Sequence, residues 1–249
     1  MAGWDLNNKI ALVTGGSRGI GAAIANELLS LGAEVIITAR NPENNTLTDS
    51  KLLHKLSYDV SSEAGRNRIV KEVKKLCNGK LDILVNNVGT NIRKRTTEYS
   101  PEEYRVISDT NLLAPYELCK MLYPMLKASG DGAVVNITSV SGLTSTSSGV
   151  IYAMTKAALH QMTKYLAVEW ASENIRVNAV APWYINTELV KPVLSNLEAM
   201  DRILSRTPND KIGEPEDVAA ITAFLCMDKA KHITGQIVAV DGGFTAYGY

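Results

Sequence analysis

The sequence has little of what builds metal or disulfide centres. It carries three cysteines, Cys77, Cys119 and Cys226, far apart and without C-x-x-C spacing. They are expected to be reduced thiols acting as small buried apolar residues. The three histidines, His54, His160 and His232, have no metal-ligand spacing, and His160, one turn past Lys156, reads as structural. An excess of charge of one sign is also absent. Lys and Arg number 26, as do Asp and Glu, so the formal net charge is zero. That removes the electrostatic footprint of a nucleic-acid or anionic-membrane partner. No apolar run approaches the ~20 residues of a membrane span. The N-terminal stretch MAGWDLNNKIALVTGG enters a strand almost at once and lacks the pattern of a secretory leader. A cytoplasmic location is the expectation. Linkers, repeats and low-complexity segments are missing as well, so residues 1–249 are read as one domain.

What is present is alternation. Short β-branched runs at 9–15, 34–40, 54–60, 81–89, 132–140, 175–182 and 236–243 read as strands. Amphipathic stretches at 19–32, 61–76, 100–129, 151–173 and 214–227 read as helices. Ser100, Pro101 and Glu103 form a capping box with proline at the first helical position. Pro115 and Pro124 are expected to bend or split the 100–129 helix. Strand–helix alternation gives an α/β fold, a parallel sheet with helices on both faces. Residues 41–53 are polar and leave room for one or two helical turns at most. Residues 183–212 are irregular and follow the carboxyl end of a strand, where ligands bind in such sheets, so they are the expected substrate loop.

TGGSRGIG (14–21) joins the first strand to the first helix. Gly15, Ser17, Arg18, Gly19, Ile20 and Gly21 stand where a tight turn and a helix N-terminus offer N–H groups to a phosphate. A plain glycine-rich turn is the alternative, and the strand–turn–helix context disfavours it. Arg40 ends the second strand, and 38–41 contains no Asp or Glu. An acidic residue there would hold the ribose 2′-hydroxyl of NAD. Arg40 and Arg18 instead suit a 2′-phosphate, which points to NADP(H). Asp59, followed by Val60, either bonds an adenine amino group or caps a helix. Asn87, Val88 and Gly89 can pack along the cofactor.

Tyr152 and Lys156 lie four apart in YAMTK and share a helix face. Alone, that spacing is equally two ordinary residues. Ser139 stands thirteen residues earlier, just past a strand end, and Asn111 lies inside the preceding long helix. Together they make a coherent acid–base site. A nearby ammonium group is expected to lower the phenol's pKa from ~10. Tyr152 then exchanges a proton with a carbonyl or alcohol oxygen, which Ser139 holds by hydrogen bond.

This set, TGGSRGIG, NNVG, Asn111, Ser139 and YAMTK in order, resembles the signature of the short-chain dehydrogenase/reductase family over nearly the whole chain. The resemblance implies a single-domain Rossmann fold with a doubly wound seven-stranded parallel sheet of order 3-2-1-4-5-6-7. It implies reversible hydride transfer with NAD(P). Tyr152 would be the proton donor, and Lys156 would lower its pKa and bond the nicotinamide ribose. Ser139 would orient the substrate, and Asn111 would support a water. Pro182, Ile185 and Thr187 match the segment that holds the carboxamide. Segments 86–94, 178–190, 194–199, 213–226 and 233–244 further resemble the tropinone reductase-like subgroup, which uses NADPH on varied small ketones. A 3-oxoacyl-thioester reductase is the alternative enzyme, and a non-catalytic NADP(H) sensor a third reading. The resemblance also implies a homodimer or homotetramer. Trp183 replaces the glycine usual after Pro182, and 41–53 is shorter than usual. The basic run Arg93–Arg95 reads as solvated surface more readily than as a site for an acidic substrate. Pocket walls are expected from 90–98, 141–151 and 183–212, including Ile92, Leu143, Val150, Trp183, Tyr184 and Leu189, and they point to a compact hydrophobic ketone.

Overall fold

Seven short, mostly β-branched segments pair side by side. In the computed structural model, which describes residues 3–247, they are β1 (Ile10–Thr14), β2 (Glu34–Ala39), β3 (Leu53–Ser57), β4 (Ile83–Asn86), β5 (Gly132–Ile137), β6 (Ile175–Pro182) and β7 (Ile237–Val240). All pairings are parallel and the order is β3-β2-β1-β4-β5-β6-β7, as expected. The helices are α1 (Gly19–Ser30), α2 (Glu63–Leu76), α3 (Pro101–Ser108), α4 (Ala114–Ser129), α5 (Val150–Glu169), α6 (Lys191–Leu194), α7 (Leu197–Leu204) and α8 (Pro215–Cys226). The two-residue repeat of a strand sends neighbours to opposite faces. Val13 packs with Ile24, Leu28, Val218 and Ala223 under α1 and α8. Leu12 and Ile36 pack with Ile69, Leu118 and Leu122 under α2 and α4. Each fully buried Leu or Ile contributes roughly 2 kcal/mol. The three cysteines are buried and unbridged.

Three local expectations need correction, and a fourth, for 41–53, is narrowed within its bound. The 100–129 helix is split, but not at its prolines. A five-residue π turn, Asp109–Leu113, separates α3 from α4. Pro115 then sits in the first turn of α4, where its missing N–H costs nothing, and α4 runs on through Pro124. The 41–53 segment contains no helical turn. It is instead tied to the start of the chain, with Thr46 N–H donating to the Ser17 carbonyl at 3.2 Å and Thr48 N–H to Asn26 Oδ1 at 3.0 Å. The 183–212 segment is not wholly irregular. It holds α6 and α7, and the Asn196 side chain caps α7 by accepting from Ala199 N–H at 3.0 Å. The third and fourth strands end at Ser57 and Asn86, earlier than their apolar runs indicated. After β3 the chain turns at Asp59, whose Oδ1 accepts from Ser61 N–H at 2.9 Å.

The sheet's strand order reverses between β1 and β4. Crossovers leave this point in opposite directions, so the carboxyl ends of β1 and β4 open a crevice between them. The glycine turn, NNVG and the loops after β5 and β6 all emerge on this side.

Candidate active site

The glycine turn is built for close approach. Gly15 and Gly19 have φ of +66° and +55°, which a side chain resists. A Cβ on Gly21 would lie 2.2 Å from the Gly15 carbonyl, so this glycine lets α1 start directly against the turn. Arg18 precedes α1 without giving a side-chain cap, and the first turn has no acidic residue. Its N–H groups and positive dipole end are left for an anion. Ser17 is buried, whereas Arg18 and Arg40 are exposed. Neither arginine has an ion-pair partner among the described residues. Gly19 also meets the far side of the cleft, since a Cβ there would stand 3.3 Å from the Thr187 methyl.

The Asn87 side chain reaches across to the glycine turn. Its amide donates to the Thr14 carbonyl at 2.9 Å and the Gly15 carbonyl at 3.3 Å. The Thr14 hydroxyl accepts from the N–H groups of Asn87 and Val88 at 2.9 and 3.3 Å. NNVG is thus latched to the glycine turn. A Cβ on Gly89 would lie 3.6 Å from Lys156 Nζ and 3.8 Å from Asn111 Oδ1, which places this glycine over the acid–base group. The Asp59–Val60 turn is held from below by Arg66, a buried residue the sequence did not single out. Its Nη1 donates to the Val60 and Ser61 carbonyls at 2.8 and 2.9 Å. Asp59 is not the cap of α2; Ser62 is, accepting from Gly65 N–H at 3.0 Å.

Asn111 lies in the π turn rather than in a regular helix, and it is fully buried. Such turns frequently mark functional sites. Its Oδ1 accepts from Thr90 N–H at 2.8 Å, while its Nδ2 donates to the Thr90 carbonyl at 2.9 Å and Thr155 Oγ1 at 3.3 Å. It therefore clamps the chain after Gly89 to α5. Lys156 is 3% exposed. Its Nζ donates to the Ile137 carbonyl at the end of β5, at 3.0 Å, and lies 5.6 Å from the Tyr152 ring centre. Burial pulls its pKa down to about 8. His160, one turn on, meets Thr138 Oγ1 at 2.8 Å, and burial holds it near 4, a neutral structural residue at pH 7.

The expected lowering of the Tyr152 pKa is reversed here. Burial of the phenol raises it, and the Ser139 hydroxyl and the Arg93 charge oppose the rise only in part. Tyr152 is therefore a neutral phenol at pH 7, a group with a proton to give. Lys156 spends its hydrogen bond on Ile137 rather than on the phenol. Ser139 Oγ accepts from Ser141 N–H at 3.1 Å and donates to Ser141 Oγ at 3.2 Å. Thr146 and Ser148 extend this into a ring of hydroxyls.

These groups face a cavity of about 210 Å³. All three segments expected to wall it do so, with three of the six residues named for them. Trp183, Tyr184 and Leu189 line it. Ile92 does not, nor do Leu143 and Val150, which are exposed. The floor is polar, made by Ser139, Ser141, Thr146, Ser148 and Asn91, with Arg93 beside them. The basic run therefore divides. Arg93 meets the cavity and Lys94 pairs with Glu103. The hydroxyl ring and Arg93 come from separate segments, and no local pattern links them. Trp183 is seated firmly in place of a glycine. It stacks on Phe244 at 3.8 Å between ring centres and donates to Thr207 Oγ1 at 3.1 Å. Pro182 pairs with Val240, and Ile185 bridges to Gly213, which fixes the segment that Thr187 follows.

Residues 15–245 match a family model described as enoyl-(acyl carrier protein) reductase. A tropinone reductase homologue of Arabidopsis thaliana is 49% identical over 252 residues, covering 99% of this chain and 96% of its own length. The chain belongs to the short-chain dehydrogenase/reductase family. Among solved structures, a putative short-chain alcohol dehydrogenase from Sinorhizobium meliloti superposes with a TM-score of 0.92 at 32% identity, covering 98% of each chain. A gluconate 5-dehydrogenase from Burkholderia cenocepacia, in complex with NADP and tartrate, gives 0.91 at 28% identity, again covering 98% of each. The family uses a nicotinamide cofactor and acts on small molecules, typically as oligomers. Among the described residues, no helix is long and apolar enough to cross a membrane, and no cluster of His, Cys, Asp and Glu could hold a metal.

Proposed function

We propose that the protein reduces a small ketone to an alcohol with NADPH, using Tyr152 as general acid. The observation that carries this reading is the neutral Tyr152 phenol beside Ser139 in a cavity at the carboxyl ends of the strands, with buried Lys156 behind it. The residues present fit the cofactor. The uncapped first turn of α1 and the turn Gly15–Gly21 would hold its diphosphate. Arg18 and Arg40, exposed and without acidic partners, would hold a 2′-phosphate. Asp59 and Val60 would border the adenine, and Asn87, Val88 and Gly89 the middle of the cofactor. Pro182, Ile185 and Thr187 would border the nicotinamide, with Tyr152 and Lys156 at its ribose. When bound, NADPH supplies the hydride that reduces the carbonyl carbon.

This chain's own residues handle the oxygen. Ser139 Oγ–H and Tyr152 O–H converge on the carbonyl oxygen, and Tyr152 gives up its proton as negative charge develops there. Lys156, freed from Ile137, is close enough to stabilise the phenolate that remains. Asn111 keeps Gly89 and α5 in register, so the ammonium stays over the ring. The acyl-thioester alternative needs a basic mouth for a carrier protein, and the pairing of Lys94 with Glu103 leaves little of one. The complex of the Burkholderia gluconate 5-dehydrogenase with NADP supports the cofactor choice.

Initial rates of NADPH and NADH consumption, measured side by side with tropinone, other cyclic ketones and acetoacetyl-CoA, test the reading. NADPH consumption with a ketone is expected, with Arg40→Asp narrowing the preference for NADPH over NADH by about tenfold or more. Turnover of acetoacetyl-CoA alone, or a native preference for NADH, would overturn it.

A further inference from the structure

The substrate cavity contains one charged side chain among its described lining residues, and it is Arg93. Among the described residues no Asp or Glu lines the cavity. Of the acids that follow Arg93 along the chain, Glu98 Oε2 accepts from Arg95 N–H at 3.2 Å and Glu103 is paired with Lys94. Arg93 itself has no ion-pair partner among the described residues, and its guanidinium lies 5.9 Å from the Tyr184 ring centre, on the cavity wall. Its loop is not free to swing away. The Tyr99 hydroxyl donates to the Ile92 carbonyl at 2.7 Å and accepts from Lys94 N–H at 3.3 Å, which grips the chain on both sides of Arg93. Asn91 Nδ2 donates to the Ser148 carbonyl at 2.9 Å and ties the same loop to the cavity floor. The charge reaches the chemistry, since Arg93 is among the groups acting on the Tyr152 phenol.

We propose that Arg93 is a specificity-determining residue, and that the substrate class is a small ketone bearing a carboxylate, with the carbonyl at Ser139 and Tyr152 and the carboxylate at Arg93. The proposal rests on the reductase reading above and names the substrate class of that site. A planar guanidinium matches a carboxylate with two parallel hydrogen bonds. The hydroxyl floor and the apolar wall of Trp183, Tyr184 and Leu189 carry no competing charge. Arg93 is exposed, so its charge stands at the mouth of the cavity on a loop whose backbone is held. A positive charge there also disfavours ketones bearing an ammonium group, so the same residue selects and excludes. This adds a carboxylate to the compact hydrophobic ketone that the sequence pointed to: of the six residues behind that expectation Trp183, Tyr184 and Leu189 line the cavity, while Leu143 and Val150 are exposed.

The test uses 4-oxocyclohexanecarboxylate, its methyl ester and the cationic ketone N-methylpiperidone. Dissociation constants are measured by calorimetry with NADP⁺ present, so no reduction occurs, for the wild-type protein, Arg93→Gln and Arg93→Lys. Rates with NADPH follow. The wild type is expected to bind the acid about tenfold or more tighter than the ester, as a hydrogen bond to a charged group provides, and the cationic ketone weakest. Arg93→Gln should bring the acid-to-ester ratio close to one, and Arg93→Lys should keep part of it. Equal binding of acid and ester by the wild type, a ratio that survives Arg93→Gln, or no binding of either probe overturns the proposal. The predicted binding ratio without any turnover leaves the assignment of Arg93 standing and sinks the reductase reading. Turnover with an acid-to-ester ratio of one does the reverse.

Discussion

At the scale of single residues, the site keeps a charge where the fold resists it. Lys156 is 3% exposed, and its pKa falls from 10.5 to about 8 through burial alone. That shift corresponds to roughly 3 kcal/mol of cost to the folded state at neutral pH. The bond to the Ile137 carbonyl returns about 1 kcal/mol. Lys156→Met should therefore raise stability at pH 7 by about 1–2 kcal/mol in chemical denaturation while abolishing turnover. The pH dependence follows from the same shift. Between about 8 and 10.5 the unfolded chain holds a proton on Lys156 that the folded chain has lost, so this residue makes stability rise with pH in that window. The variant should lack that rise. In the wild type, kcat/KM for reduction should fall as pH passes about 8, where the ammonium that supports the phenolate is lost. Tyr152, Lys156, Ser139 and Asn111 were named from the sequence as a set through the family resemblance, since their spacing alone left them ordinary; the structure brings Tyr152 and Ser139 to one cavity, with Lys156 and Asn111 beside Gly89. The direction of the Tyr152 shift was not legible. It depends on how deeply the phenol is buried and on which carbonyl the ammonium chooses, and neither follows from spacing.

At the scale of elements, the helix before β5 shows how a local irregularity serves the site. The sequence from 100 to 129 reads as one helix interrupted by proline. The interruption is a π turn at Asp109–Leu113, which turns Asn111 inward to bond both backbone groups of Thr90. Helix periodicity extends across such a turn with little change, so hydrophobic spacing cannot reveal it. Asn111→Ala should cost about 2–3 kcal/mol in denaturant unfolding, because it leaves paired buried groups without partners. It should also lower kcat by more than the cofactor's Kd changes, since Thr90 and Gly89 lose their hold over Lys156. A loss of stability with kcat unchanged would make the turn merely structural. The strands, by contrast, were legible in number and place, though several end about three residues before their apolar runs do, because a sheet buried on both faces forces near-continuous apolar runs. Helices α6 and α7 were missed for the opposite reason. They are four and eight residues long and lie at the surface, with Ile203 their one buried residue.

At the scale of the whole molecule, several large apolar side chains are exposed on two helices. They are Tyr116 on α4 and Met154, Tyr165 and Val168 on α5, the last two by 65% and 82%. The edge strand β7 is only partly buried. Such surface is what contact between chains covers, so light scattering on the purified protein should give a dimer or tetramer, and a monomer would contradict it. The sheet order and the crevice at its reversal were legible from alternation together with the family resemblance. The polar floor of the cavity was not, because two loops distant in sequence, after β4 and after β5, build it. The measurement that tests the central claim most directly uses NADPH carrying deuterium on the transferring face of the nicotinamide, with a cyclic ketone as acceptor. The account predicts alcohol with one deuterium on its carbinol carbon. It also predicts that Tyr152→Phe slows this by about a hundredfold or more while still binding NADPH. Alcohol formed without deuterium, or a Tyr152→Phe protein as fast as the wild type, would contradict it.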